Sequence, residues 1–198
     1  MTFQEEKSML RIAVLASGSG SNAEEIYRYF ENHDLARVEM IITNNTKAGV
    51  IDRFTGKKIA IRIFDHATES EAVLDELTEG ADLVILAGYL KMIPKSWTRA
   101  FNGRMLNIHP ALLPKFGGKG MYGKHVHKAV SEAGETESGI TIHLVNEQYD
   151  EGAIVAQFAV DIEPGERPEL IEEKVRALEL EYYAPTIERW IENLILSQ

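Results

Sequence analysis

The chain is predicted to be a single α/β domain: a mostly parallel, open, twisted sheet with helices on both faces and an antiparallel strand pair toward the C-terminal end. Three observations carry this. Apolar runs of strand length alternate with helical segments at short spacing, as βαβ units do. The runs at 10–16 (LRIAVLA) and 82–87 (DLVILA) are continuous, as in strands covered on both faces. The length of 198 residues, with 44% hydrophobic, suits one domain with a sizeable core.

Residues 1–9 read as a loose polar leader to a domain spanning 1–198. The first strand, 10–16, runs into Ser17-Gly18-Ser19-Gly20-Ser21-Asn22 and a helix over 23–30. Strand, small-residue turn and helix aim free backbone N–H groups at an anion. A tight turn with Ser21 or Asn22 as N-cap fits equally well. The two glycines fall short of the dinucleotide and P-loop fingerprints. The second strand, 38–43, ends at Asn44-Asn45, and a short helix over 48–57 is expected to be capped by Thr46. The third strand is 59–64. Thr68-x-x-Glu71 has the form of a capping box heading a helix over 68–78.

The fourth strand, 82–87, exits into Gly88-Tyr89-Leu90-Lys91-Met92-Ile93-Pro94. A short helix over 96–100 leads to the fifth strand, 104–109. Residues 116–123 (FGGKGMYG) hold four glycines in eight positions and read as a flexible loop and lid. A helix follows over 125–133. The stretch 139–145 (GITIHLV) alternates as a half-exposed strand does, and an acidic turn, 146–152, joins it to an antiparallel partner at 154–162. Pro168 suits the first position of a helix to about residue 180. Pro185 breaks or restarts that helix, leaving a terminal amphipathic helix over 186–196.

Formal net charge is −10, which argues against nucleic acid or an anionic membrane as partner. The absence of cysteine excludes disulfides and thiolate chemistry. No apolar run approaches the roughly 20 residues needed to cross a bilayer, and the first nine residues lack the apolar core of a signal peptide. A soluble cytoplasmic protein acting on small molecules, as monomer or homodimer, is expected.

The chemistry centres on 105–116 (MLNIHPALLPKF). In a strand, Asn107 and His109 point to the same side. Pro110 ends the pairing and leaves His109 at the strand's exit. One side chain offers a fixed amide donor and the other a proton near neutral pH. Two satisfied polar residues at a sheet end account for the spacing as well. Right-handed crossovers bring the loops 17–22, 88–93 and 109–123 to one edge, where open α/β sheets bind ligands.

Taken in order, Ser17-Gly18-Ser19-Gly20-Ser21-Asn22, Leu86-Ala87-Gly88-Tyr89, Leu106-Asn107-Ile108-His109-Pro110-Ala111-Leu112-Leu113-Pro114 and His143-x-x-x-x-x-x-Asp150-x-Gly152 resemble the phosphoribosylglycinamide formyltransferase family over nearly the whole chain. The resemblance implies a formyltransferase fold and transfer of a formyl group from the co-substrate 10-formyltetrahydrofolate to the amine of 5-phosphoribosylglycinamide. It implies that Asn107 and His109 hold the oxyanion, and that Asp150 raises the imidazole's proton affinity and assists proton transfer. Backbone groups of 90–93 and 146–150 would read the pterin, so Leu90, Lys91, Met92, Ile93, Asn107, Asn146 and Asp150 are the folate-site candidates. Gly20, Ser21 and Asn22 would hold the substrate phosphate, and Glu179 the ribose hydroxyls. Ser70 stands nearest the position where some members carry a folate-contacting Arg, and no such contact is assigned to it. Methionyl-tRNA formyltransferase relatives add a C-terminal tRNA-binding domain, for which no residues remain here. No metal is expected, because His109, His125, His127 and His143 lack the usual ligand patterns. His143 is expected to orient its neighbours, His125 to line the site, and His33 and His66 to lie on the surface. Two other classes compete. A nucleotide-binding oxidoreductase lacks an acidic residue after strand two. A non-catalytic folate- or nucleotide-binding module would lose nothing on removal of His109.

Overall fold

The computed structural model describes residues 9–196. The leader expected at 1–9 lies, Met9 apart, outside the described residues. Seven strands among them form one sheet: β1 (Leu10–Leu15), β2 (Ala36–Thr43), β3 (Ala60–Ile63), β4 (Leu83–Leu86), β5 (Met105–His109), β6 (Glu137–Leu144) and β7 (Ile154–Asp161). Their order is β3-β2-β1-β4-β5-β6-β7. The first five pair in parallel, while β5–β6 and β6–β7 are antiparallel. The chain steps outward from β1 in one direction, then returns to β4 on its other side. The loops after β1 and β4 therefore part at the switch point and open a crevice.

The continuous apolar runs resolve into two cores. Ile12, Val14, Leu83 and Ile85 face one side and pack with α1 (Ser21–Phe30), α2 (Gly49–Phe54), α5 (Lys124–Glu132) and α6 (Pro168–Leu196). Ala13, Leu15, Val84 and Leu86 face the other and pack with Val73 and Leu77 of α3 (Ser70–Gly80) and Trp97 of α4 (Lys95–Ala100). Alternation within an unbroken apolar run thus supplies both faces. Among the described residues no helix is long and apolar enough to cross a membrane.

Several expectations give way to tertiary context. β6 is buried from Ser138 to His143 instead of half-exposed. Ile140 and Ile142 join the core, while Thr141 accepts from Leu113 N–H at 3.0 Å and donates to Ala111 C=O at 2.7 Å. The half-exposed strand is its outer neighbour β7. Pro185 does not end a helix: α6 runs unbroken through it. Interior proline costs a helix about 3 kcal/mol, and burial of Ile171, Val175, Tyr183, Ile187, Trp190 and Ile191 along both halves outweighs that. Neither Thr46 nor the Thr68/Glu71 pair caps a helix. α2 starts after Ala48 and α3 after Glu69, without side-chain cap bonds. Glu69 instead accepts from Asp65 N–H at 2.6 Å. Neither Ser21 nor Asn22 caps α1; Gly20 holds that position at φ 76°.

Gly139 is the tightest crossing between β6 and β7. A Cβ there would sit 2.1 Å from the Phe158 carbonyl oxygen and 2.8 Å from Leu112. Gly139→Ala is expected to lower the unfolding free energy by more than the ~1–3 kcal/mol of ordinary overpacking, read as a fall in thermal midpoint; an unchanged midpoint contradicts the β6–β7 packing described.

Candidate active site

The crevice is a cavity of about 710 Å³. Its wall takes residues from the β1–α1 turn (Gly18 to Asn22), the β4 exit (Gly88 to Ile93), β5 (Asn107, His109), the loop 118–123, the 145–150 turn and one face of α6. The catalytic, folate-site and ribonucleotide-site candidates named above all line it: Gly20, Ser21, Asn22, Leu90, Lys91, Met92, Ile93, Asn107, His109, Asn146, Asp150 and Glu179.

Ser17 stitches the entrance. Its hydroxyl donates to Asn44 Oδ1 (2.6 Å) and accepts from Leu90 N–H (3.0 Å), and its carbonyl accepts from Asn45 Nδ2 (3.1 Å). Three strand exits are thereby held to one turn. Leu90 and Met92 remain about half exposed at the rim, an apolar ledge beside polar groups. Gly20 takes a left-handed φ with Val50 packed where a side chain would stand. The first turn of α1 has no side-chain cap, so its leading N–H groups face the cavity end of the helix.

At the centre is a buried polar cluster. Asp150 Oδ2 lies 3.5 Å from His109 Nδ1, and its Oδ1 lies 3.6 Å from His143 Nε2. His143 Nδ1 donates to the Leu144 carbonyl at 2.9 Å, so in the neutral ring Nε2 accepts, and Asn107 Nδ2 sits 3.2 Å from it. That bond orients the Asn107 amide and leaves its second N–H free. His109 Nε2 donates to the Phe116 carbonyl at 2.8 Å, and Gly118 N–H donates to Asp150 Oδ2 at 2.9 Å. The glycine-rich loop thus grips both the imidazole and the carboxylate. Phe116 and Asp150 both hold left-handed backbone, φ 56° and 55°, a conformation that costs of order 1–3 kcal/mol where side chains must adopt it. Gly152 closes the Asp150 turn against β6: a Cβ there would meet Leu144 C=O at 1.6 Å.

Two opposing effects set the proton affinity of the His109 imidazole. His109 is held below its ordinary value: burial dominates, with the charge of His143 adding to it, against the opposing pull of Asp150 and the Phe116 carbonyl. Asp150 favours the imidazolium as expected, but burial outweighs it. For Asp150, burial pushes the carboxyl up, yet His143, the charge of His109 and the Gly118 N–H together bring it below the usual range. The carboxylate is thus held toward its ionised form, and burial sets the imidazole below its ordinary proton affinity while both of its ring nitrogens face acceptors.

Glu179 is not a solvated helix residue. It accepts from Asn22 Nδ2 at 2.8 Å inside the cavity, and burial raises its carboxyl's proton affinity, offset in part by Asn22 and Arg176. Glu172 and Arg176 line the same wall and were missed; their spacing with Glu179, i, i+4 and i+7, marks one helical face and was the available signal. Among the other histidines the expectations reverse in part. His125 is exposed and stacks edge-on with Tyr122, whereas His127 is buried and lines the cavity. His33 and His66 are half-buried, bonded to Glu188 and Tyr89. Ser70 lies off the cavity, its carbonyl accepting from the Trp97 indole. Among the described residues no group of three or more His, Asp or Glu is arranged to hold a metal ion.

Comparison with known proteins gives this geometry a relative. The family described as formyl transferase matches residues 10–187. The chloroplastic phosphoribosylglycinamide formyltransferase of Arabidopsis thaliana is 40% identical over 186 residues, covering 89% of this chain and 64% of that one. The Vigna unguiculata counterpart is covered over 62% of its length, so the chain spans less than two thirds of these plant relatives. The Haemophilus influenzae phosphoribosylglycinamide formyltransferase is 36% identical over 190 residues, 92% of this chain and 87% of that one. Among solved structures, glycinamide ribonucleotide transformylase 1 from Symbiobacterium toebii superposes with a TM-score of 0.85 at 32% identity, covering 98% and 92% of the two chains. The family match runs through β1, β5 and most of α6, the elements that build the cavity, and the chain belongs to the formyl transferase family, on its phosphoribosylglycinamide formyltransferase branch.

Proposed function

We propose that the protein transfers the formyl group of 10-formyltetrahydrofolate to the amine of 5-phosphoribosylglycinamide, a step of purine biosynthesis carried out in the cytoplasm. The products are the formylglycinamide ribonucleotide and tetrahydrofolate. The observation that carries the reading is the convergence of Asn107, His109, His143 and Asp150 on one buried point of the cavity.

The amine attacks the formyl carbon, and the carbonyl π bond becomes a lone pair on oxygen. The new C–N bond leaves a proton on the attacking nitrogen. That proton moves to the folate nitrogen as its bond to carbon breaks. Two demands follow: donors for the oxygen, and a group that tolerates the proton in transit. The free N–H of Asn107 is a neutral, fixed donor; one such donor is typically worth about 3 kcal/mol at the transition state. Burial lowers the proton affinity of His109, but the ring faces a carboxylate held ionised, so a growing negative charge on the substrate oxygen favours the imidazolium. In the resting arrangement its Nε2–H belongs to the Phe116 carbonyl. The ring therefore reaches the oxyanion only as the 116–118 segment releases it, which couples turnover to the glycine-rich loop.

The apolar ledge of Leu90, Met92 and Ile93, with backbone of 90–93 and 146–150, suits a flat heteroaromatic such as the pterin, with Lys91 alongside and Asn146 across the cleft. The α1 N-terminus at Gly20, Ser21 and Asn22 suits the phosphate, and Glu179 the ribose hydroxyls. The two substrates thus meet at Asn107 and His109.

The direct test mixes the protein with both substrates and follows released tetrahydrofolate. Turnover is expected, and His109→Ala is expected to lower it at least ~100-fold with substrate binding mostly kept; absence of transfer in the unaltered protein overturns the reading. Asp150→Asn removes a negative charge beside the His109 ring, so the imidazolium is less favoured and its titration midpoint, followed by NMR of the ring protons, is expected to move to lower pH. A midpoint that stays or rises contradicts the role given to Asp150.

A further inference from the structure

Three buried side-chain polar atoms among the described residues have no hydrogen-bond partner: Asn22 Oδ1, His127 Nδ1 and Ser138 Oγ. Two of the three, Asn22 and His127, belong to residues that line the main cavity. His127 is the more unusual. The residue is only 4% exposed, and its Nδ1 has no hydrogen-bond partner among the described residues. A buried imidazole almost always finds a partner. The first turn of α5 carries it in, while His125, two residues earlier, points to solvent. The ring is thus buried at the cavity with an Nδ1 for which the described residues supply no partner.

We propose that His127 is a specificity-determining residue that hydrogen-bonds the ribonucleotide substrate, at a neutral polar group between its phosphate and its reacting amine. This rests on the transferase reading above and extends it. The surroundings select the substrate and the kind of group. His127 lines the cavity with Asn22, Glu172, Arg176 and Glu179, and the charge of Glu172 acts on its ring. Burial holds its ring in the neutral form, with the charge of His109 on the same side of the balance and only Glu172 pulling toward the cation. A neutral ring beside a carboxylate suits a sugar hydroxyl or the glycinamide amide, not the phosphate. The phosphate is served by the α1 N-terminus. His109 and His127 line the same cavity, which puts the contact toward the amine end of the substrate.

The test compares His127→Leu, which keeps volume and removes the hydrogen bond, with His127→Asn, which restores a polar group near the Nδ1 position. For the Leu variant KM for the ribonucleotide is expected to rise about 10-fold or more, with kcat within about threefold and KM for the folate within about twofold. The Asn variant is expected to recover most of the loss. A Leu variant with unchanged ribonucleotide KM overturns the proposal, and so does one whose kcat collapses while KM holds. Should the Leu variant fail to fold, the unaltered protein decides. Its His127 ring-nitrogen NMR signals are followed while ribose 5-phosphate, and separately the full ribonucleotide, is added. A shift with ribose 5-phosphate assigns the contact to a sugar hydroxyl, a shift with the full ribonucleotide alone assigns it to the glycinamide, and no shift with either overturns it. Binding with a His127 shift but no formyl transfer counts against the transferase reading alone.

Discussion

A carboxylate, two imidazoles and a carboxamide stand out of water at the end of two strands, and the structure is arranged so that none is left without an answer. Asp150 faces both His109 and His143, His143 fixes the Asn107 amide, and the backbone closes the cluster through Phe116 C=O, Gly118 N–H and Leu144 C=O. Removing water makes each of these interactions stronger and makes any lost partner costly. The left-handed backbone at Phe116 and Asp150 is the geometric expense of bringing two loops onto one cluster.

Topology explains why the cluster can exist at all. The antiparallel pairing of β5 with β6 sets Asn107 directly opposite His143 in the sheet register, a contact between residues 36 apart in sequence. The switch between β1 and β4 opens the cavity that the cluster faces. Two cores, one on each face of the sheet, hold those strands rigidly, so the site inherits its precision from packing instead of from the loops. The segment that grips His109 and Asp150 is the glycine-rich one.

Much of this was legible in the residues because the signals were local. Continuous apolar runs marked β1 and β4, and the i, i+2 spacing of Asn107 and His109 put both on one side of β5. The Asp150 and His143 partners are distant in sequence, and only the family resemblance pointed to them. The misreadings share a cause. β6 and Pro185 were judged by pattern and propensity, yet their neighbours decided: the 110–116 loop buries β6, and α6 packs along both sides of its proline. The expected helix caps failed because backbone and turn contacts replaced them. Asp150 raises the proton affinity of His109 as the resemblance implies, while burial, a property of the whole fold, sets the net direction. His127 was weighed as a metal ligand because its burial without a partner is invisible in a sequence.

If the buried cluster acts as a unit, the energetic roles of His109 and Asp150 cannot be separated. A double-mutant cycle on formyl-transfer turnover, combining His109→Ala with Asp150→Asn, measures this directly. Strong non-additivity is the predicted result, with the double variant little slower than the worse single one. Losses that simply multiply would mean the carboxylate works independently of the imidazole, and would contradict the account.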